Sequence, residues 1–307
     1  MTKGIHHITA IAGSAQRNYD FYTKVLGLRL VKKTVNFDDP GTYHFYFANE
    51  TGDPGTVLTF FPWEGIAQGK RGVGQATETG FAVPVGSLGF WEKRLEAANV
   101  TYNKPAEKFG QRYLTLLDPD GLKLELTETE GGAKPYIHPH IGEENAIRGF
   151  ANATLTLEKA DRTADLLTSL MGYRLAEQHV NRFRLVNDAA PHAGIIDLVE
   201  AAGEGRGRGA GGTVHHVAFR VSNDADEMAL REKIVDLGFN ITHQIDRQYF
   251  HSLYFREPGG VLFEIATDNP GFDIDEPVAT LGQALKLPAQ YEPRRSEIEK
   301  VLPPLVH

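Results

Sequence analysis

The sequence predicts an α+β protein in which four βαβββ modules close into two open barrels. Three observations predict it. Strand-like and helix-like periodicities recur four times in the same order along the 307 residues. The distance from the first strand of each module to its last is nearly constant. A histidine pair at the head of the first module, His6-His7, returns at the head of the fourth as His215-His216.

The first module runs from Gly4 to about Pro62. Its opening strand is His6 to Ile11. Ser14 is placed to cap a helix carrying Phe21, Tyr22, Val25 and Leu26 at helical spacing, and Gly27 stops it. Leu28 to Val35, Tyr43 to Phe47 and Thr56 to Phe61 read as strands, the last entered through the turn Gly52-Asp53-Pro54-Gly55. The second module, Glu78 to Thr127, repeats the order: strand Thr79 to Val83, a helix capped by Ser87, strand Arg112 to Leu117, the turn Asp118-Pro119-Asp120-Gly121, strand Leu122 to Leu126. The third begins near Ala151, with a helix marked by Leu166, Leu167 and Leu170. The fourth begins at His215, with a helix from Met228 to Leu237 and a final strand from Val261 to Ala266. The expected boundaries are 1–130 for modules one and two, 131–148 for a turn-rich linker, 149–268 for modules three and four, and 269–307 for a C-terminal arm. The arm is expected to pack on its own domain or to cross to a second subunit.

Composition narrows the chemistry. A hydrophobic fraction of 41% and a charged fraction of 23% are those of a globular domain. The net charge of -8 offers no phosphate-neutralising surface, so nucleic acid is not an expected partner. Gly205-Arg206-Gly207-Arg208-Gly209 reads as a mobile linker. No run is long and apolar enough for a membrane span, and no signal-peptide pattern opens the chain, so a cytoplasmic location is expected. There is no cysteine, which excludes disulfides, iron–sulfur clusters and thiol nucleophiles. Any metal is then held by His, Asp or Glu.

Registering the modules by first strands and turns gives first-strand marks at His7, Glu78, Asn152 and His216, and last-strand marks at Phe60, Glu125, Leu198 and Glu264. Modules one and four together offer two histidines and a glutamate; modules two and three offer no histidine. Two His and one carboxylate on one face of an octahedron leave positions open for substrate and dioxygen. Adjacent strand residues point to opposite faces, so one histidine of each pair is expected to face inward, and periodicity does not say which. A lone His-His pair is more often structural; recurrence at one repeat position with a glutamate in place reverses that weighting. Glu125 shares the position of Glu264, but Lys123 on its strand suggests an exposed face. His44, His138, His140, His179, His192 and His243 fall outside the marks and read as surface residues. Upstream of Glu264, Arg247, His251 and Tyr254 are placed to reach the same cavity.

At these residues the sequence resembles the vicinal oxygen chelate superfamily, which includes glyoxalase I, fosfomycin-resistance proteins and extradiol dioxygenases. The motifs are His-His-Ile-Thr, Phe21 to Leu28, and Pro258 to Glu264. Tyr43 to Phe47, Pro54 to Val57, Phe109 to Tyr113, Ile195 to Leu198 and Leu281-Gly282 are similar to hydroquinone ring-cleaving dioxygenases of the 2,6-dichlorohydroquinone 1,2-dioxygenase type. The resemblance covers nearly the whole chain. It implies the glyoxalase-like fold and Fe(II), with Mn(II) as alternative, held by His7, His216 and Glu264. It also implies a pocket lined by His6, His215, Thr9, Arg247 and Tyr254. His251 stands where that group carries an acidic residue, which bears on the substrate more than on the reaction.

The expected activity is metal-dependent oxidative opening of a hydroquinone- or catechol-type diol with O2. Tyr254 with His6 or His215 would bond phenolic oxygens and move protons, and Thr9, Arg247 and His251 would contact substrate. The alternatives are a glyoxalase-like isomerase or transferase, which usually needs a fourth side-chain ligand where apolar Phe60 stands, and a non-enzymatic binding protein on the same fold. Expected partners are a small aromatic substrate and O2, with a homo-oligomer left open.

Overall fold

The computed structural model describes residues 1–306. Each module is one strand, one helix and three strands. Module one comprises β1 (Ile5–Ala12), α1 (Ala15–Asp20), β2 (Arg29–Asn36), β3 (Asp39–Ala48) and β4 (Val57–Pro62). Module two comprises β5 (Gln75–Pro84), α2 (Leu88–Ala97), β6 (Ala106–Lys108), β7 (Gln111–Leu117) and β8 (Lys123–Thr129). Module three comprises β9 (Phe150–Leu157), α3 (Asp161–Ser169), β10 (Arg174–His179), β11 (Arg182–Val186) and β12 (Ile195–Glu200). Module four comprises β13 (Thr213–Val221), α4 (Asp224–Asp236), β14 (Ile245–Asp246), β15 (Phe250–Arg256) and β16 (Leu262–Pro270).

Within each module the first and last strands lie side by side in parallel, as β1 with β4 and β13 with β16. The helix is the crossover that a parallel pair requires. Two modules then join through their first strands, which run antiparallel. β1 pairs β13 and β5 pairs β9. The result is two eight-stranded sheets, ordered β14-β15-β16-β13-β1-β4-β3-β2 and β10-β11-β12-β9-β5-β8-β7-β6. Modules one and four, the two ends of the chain, therefore share one sheet, as their ligand residues led us to expect.

Alternation along each strand separates the two faces of the sheet. Ile8, Leu58, Phe60, Phe45, Phe47, Val217 and Phe263 are fully buried in the helix-covered core. Phe60 rests on Tyr22, which follows α1, with ring centroids 4.6 Å apart. The opposite face is concave and forms the cavity. The expected Ser14 cap is made differently: Ser14 occupies the cap position without a side-chain cap bond, and Glu64 accepts from the Ala15 amide at 2.9 Å instead.

One segment differs from expectation, and a second takes one of the two courses expected of it. The Gly205–Gly209 stretch is held in place by bridges between Lys70 and Arg208 and between Val73 and Arg206. The C-terminal arm packs on its own chain. Lys32, buried in β2, donates to Asp275 and Glu276 at 2.6 Å each, and the Lys286 amide donates to Lys33 O at 2.9 Å. The arm ends in α5 (Arg295–Val301), after Tyr291 Oη has donated to Phe37 O at 2.6 Å.

Candidate metal centre and its cavity

Strand register decides which side chains meet. Thr9 lies opposite His216 on one side and Thr59 on the other. Ala218 lies opposite Glu264, which lies opposite Tyr254. Thr59 lies opposite Tyr46. Stepping by two along each strand keeps to one face, so His7, Thr9, His44, Tyr46, Thr59, Phe61, His216, Tyr254 and Glu264 share the concave side.

Three of these converge. His7 Nε2 and His216 Nε2 lie 3.3 Å apart, and they approach Glu264 Oε2 at 3.3 Å and 2.8 Å. All three residues are buried, and theirs is the only group of three potential ligands found among the described residues. Neither Glu264 oxygen has a settled hydrogen-bond partner. Three lone-pair-bearing atoms this close, shut away from water, form a cluster that a shared cation can bridge. The residues therefore fit a divalent metal bound by two imidazoles and one carboxylate. Burial works to raise the Glu264 pKa, but the His7 and His216 imidazoles outweigh it and hold the carboxyl well below the usual range.

The neighbouring histidines fix the tautomers. His6 Nδ1 lies 2.9 Å from His7 Nδ1, and His215 Nδ1 lies 2.8 Å from His216 Nδ1. A ligating Nε2 must be unprotonated, so His7 and His216 carry their proton on Nδ1 and donate it to His6 and His215. His6 and His215 then keep theirs on Nε2. Here the two diverge. His6 is buried behind His7 and is absent from the cavity wall, whereas His215 faces the cavity and offers it an N–H. Burial, then the neighbouring His216, holds the His215 imidazole down at about 4, so it is neutral near pH 7.

The cavity has a volume of about 250 Å³. Phe61, Trp63, Phe250 and Leu262 form its apolar surfaces. Arg247 enters from the loop before β15, with its guanidinium 5.4 Å from the Tyr254 ring centre and 3.7 Å from Asp38 across the mouth. Thr9 lines the wall and bonds Thr59 at 2.8 Å between hydroxyl oxygens. His251 does not join them. Its Nδ1 lies 2.6 Å from Asp224 Oδ1 at the start of α4, outside the cavity wall, because it stands three residues before Tyr254 and so on the opposite face of β15. A larger groove of about 790 Å³ lies between Tyr19, Tyr136 and Leu281, but it gathers no set of ligating side chains.

Three sequence expectations are corrected. His44 is not a surface residue: it lines the cavity, with Nδ1 3.0 Å from Tyr46 Oη and Nε2 2.9 Å from Thr59 Oγ1. The signal was the alternation of Tyr43-His44-Phe45-Tyr46-Phe47, in which the two phenylalanines face the core. The last-strand marks Phe60 and Leu198 are each one residue late. Thr59 and Asp197 occupy the positions that match Glu264 and Glu125, opposite Thr9, Thr154, Ala218 and Gly80. Glu125 is buried, not exposed. In the second sheet Glu78, Glu125 and Asp197 stand around the corresponding position, and basic side chains meet them. Lys108 bonds Glu125, Lys123 bonds Glu78, and Arg184 grips Asp197 through two bonds at 2.8 and 2.9 Å.

The comparisons with known proteins agree with this geometry. The profile of the Glyoxalase/Bleomycin resistance protein/Dioxygenase superfamily matches residues 4–126 and 140–265. MhqO of Bacillus subtilis, a candidate ring-cleaving dioxygenase, is 51% identical over 99% of this chain and 96% of its own length. The chlorohydroquinone/hydroquinone 1,2-dioxygenase of Sphingobium indicum is 36% identical over 98% of this chain and 96% of its own. The crystal structure of a candidate dioxygenase from Bacillus subtilis superposes with a TM-score of 0.96 at 49% identity, covering 99% of this chain and 98% of that one. Glyoxalase I from Zea mays shares the fold, with a TM-score of 0.63 at 15% identity over 86% of this chain and 92% of its own. By the profile match across both sheets and by these full-length relatives, the chain belongs to the Glyoxalase/Bleomycin resistance protein/Dioxygenase superfamily.

Proposed function

We propose that the protein is a metal-dependent ring-cleaving dioxygenase acting on hydroquinone- or catechol-type aromatic diols, with Fe(II) held by His7, His216 and Glu264. One observation carries the reading: two imidazoles and one carboxylate converge with no fourth ligand beside them among the described residues, because the matching position on β4 is Thr59, not an acid. A site with open positions suits an oxygenase, and a glyoxalase-type isomerase would need the missing ligand. The full-length relatives named for hydroquinone and ring cleavage support the same reading. Bound Fe(II) would supply the one-electron chemistry that allows O2 to react with a closed-shell ring.

The chain's own groups do the rest. Arg247 attracts a phenolate into the cavity and neutralises its charge. Tyr254 O–H and His215 Nε2–H donate to oxygens there; burial, then the Glu264 charge, raises the Tyr254 pKa, so the phenol keeps its proton. Phe61, Trp63, Phe250 and Leu262 exclude water and hold a flat ring. His6 acts through His7, whose ring it orients. Metal analysis of anaerobically purified protein, followed by oxygen-electrode assays on hydroquinones and catechols, tests the reading. Stoichiometric iron and oxygen uptake are expected; no retained metal and no uptake with any diol would overturn it.

A further inference from the structure

The cavity wall supplied by module one carries a polar chain that the ligand set does not use. Tyr46 Oη lies 3.0 Å from His44 Nδ1, His44 Nε2 lies 2.9 Å from Thr59 Oγ1, and Thr59 Oγ1 lies 2.8 Å from Thr9 Oγ1. Four side chains on three neighbouring strands form one unbroken line. It ends two residues from His7.

The direction of that line follows from the groups in it. A neutral imidazole carries one proton and one lone pair. A phenol is a stronger donor and a weaker acceptor than an aliphatic hydroxyl. Tyr46 therefore donates to His44 Nδ1, His44 donates through Nε2–H to Thr59, and Thr59 donates to Thr9. Tyr46 has then used its only proton. What it presents to the cavity is a lone pair.

Its position matters equally. β3 is separated from β1 by β4 alone, so Tyr46 stands roughly 10 Å across the sheet from the strand of His7. The curl of the sheet brings Tyr46 against Tyr249, with ring centroids 6.2 Å apart. Between the two ends lie the apolar faces of Phe61 and Trp63, 5.5 Å apart, and Phe61 in turn lies 4.3 Å from the His44 ring.

We propose that Tyr46, held as a hydrogen-bond acceptor by His44, reads the hydroxyl of the diol that lies away from His7, His216 and Glu264. Tyr46 is the specificity residue and His44 a positioning residue. The inference rests on the dioxygenase reading above and assigns a specificity residue within it.

The test is anaerobic equilibrium binding of hydroquinone, catechol and 4-fluorophenol to the metal-loaded protein. Fluorine fills the place of the second hydroxyl but has no proton to give. The wild-type protein is expected to bind hydroquinone about tenfold or more tighter than 4-fluorophenol, since a buried acceptor left without its donor is costly. Tyr46→Phe, which removes one oxygen, should bring the ratio to within about twofold, by weakening hydroquinone and relieving the unpaired acceptor that 4-fluorophenol meets, while leaving catechol unchanged. His44→Phe should also lower the ratio, because Tyr46 regains a free proton and no longer meets either ligand as an acceptor only. A purely structural role would weaken all three ligands together. A wild-type ratio near one, or a ratio preserved in Tyr46→Phe, overturns the inference. Oxygen uptake with such an unchanged ratio overturns this inference alone, whereas no binding and no uptake with any diol overturns both readings.

Discussion

Thr59 occupies in module one the position that Glu264 occupies in module four. Each lies directly opposite the residue two places beyond a clustered histidine, Thr9 in one case and Ala218 in the other. The near-twofold relation between the modules therefore ends at one side chain, and that side chain sets the number of ligands. Introducing the missing carboxylate with Thr59→Glu is expected to leave metal content at or above the wild-type level. Oxygen uptake should fall at least about 100-fold, since a filled position is closed to substrate and O2. Metal analysis and an oxygen electrode on one preparation check both halves.

Removing the metal should cost stability, because the cluster leaves Glu264 buried beside two imidazoles and without a settled donor. A cation bound only by the folded state at 100 times its dissociation constant adds about 2.7 kcal/mol. Chelation should lower the melting temperature by several degrees, and re-addition should restore it. In Glu264→Gln both shifts should vanish, as calorimetry with and without chelator would show.

His215 and His251 separate a cavity donor from a bystander. His215→Ala removes an N–H that faces the cavity and is expected to lower kcat about 100-fold or more. His251→Ala breaks only the 2.6 Å contact with Asp224 and should leave kcat within about threefold. Comparable losses in both variants would contradict the placement.

The ion pairs of the second sheet should be structural only. Lys108→Met leaves Glu125 buried without its cation and is expected to destabilise the fold by about 3–5 kcal/mol. Metal content should not change, because the cluster lies in the other sheet. Urea unfolding together with metal analysis distinguishes the two effects.

Glu227 on α4 gives a pH dependence of known sign. Burial pushes its carboxyl up to about 7 from an ordinary value of 4.5, against a hydrogen bond from Gln244. An acid raised in the fold is destabilising when ionised. The penalty is absent below the unfolded value, grows between the two, and is complete above about 7. Glu227→Gln should therefore be more stable than the wild type at pH 8, by roughly 1–3 kcal/mol, and nearly equal to it at pH 4. Urea midpoints at the two pH values measure the difference.

Much of the fold and of the ligand set is legible in the sequence. Repeat order gave the modules, and the two histidine pairs with Glu264 indicated which modules share a sheet. What sequence reading missed has a common cause. Counting from a turn located the last strand but not its register, and a slip of one residue exchanges the two faces, which is how Phe60 stood in for Thr59 and Leu198 for Asp197. Glu125 read as exposed because Lys123 shares its strand, yet the lysine that neutralises Glu125 is Lys108, brought from β6 by pairing across the sheet. His44 lay in a quoted stretch but outside the marked repeat positions. Only the curl of the sheet makes its strand face an interior one. His251 was placed by its nearness in sequence to Tyr254, yet the odd spacing of three along β15 sends the two side chains to opposite faces.

The lysines and arginines around Glu78, Glu125 and Asp197 have one more implication. In that half of the molecule the counter-charge is tethered by covalent bonds and can never diffuse away. The half containing Glu264 borrows its counter-charge from solution. Two sheets of one architecture thus differ in kind, one a permanent scaffold and the other a reloadable one, and the availability of a dissolved ion would govern only the second.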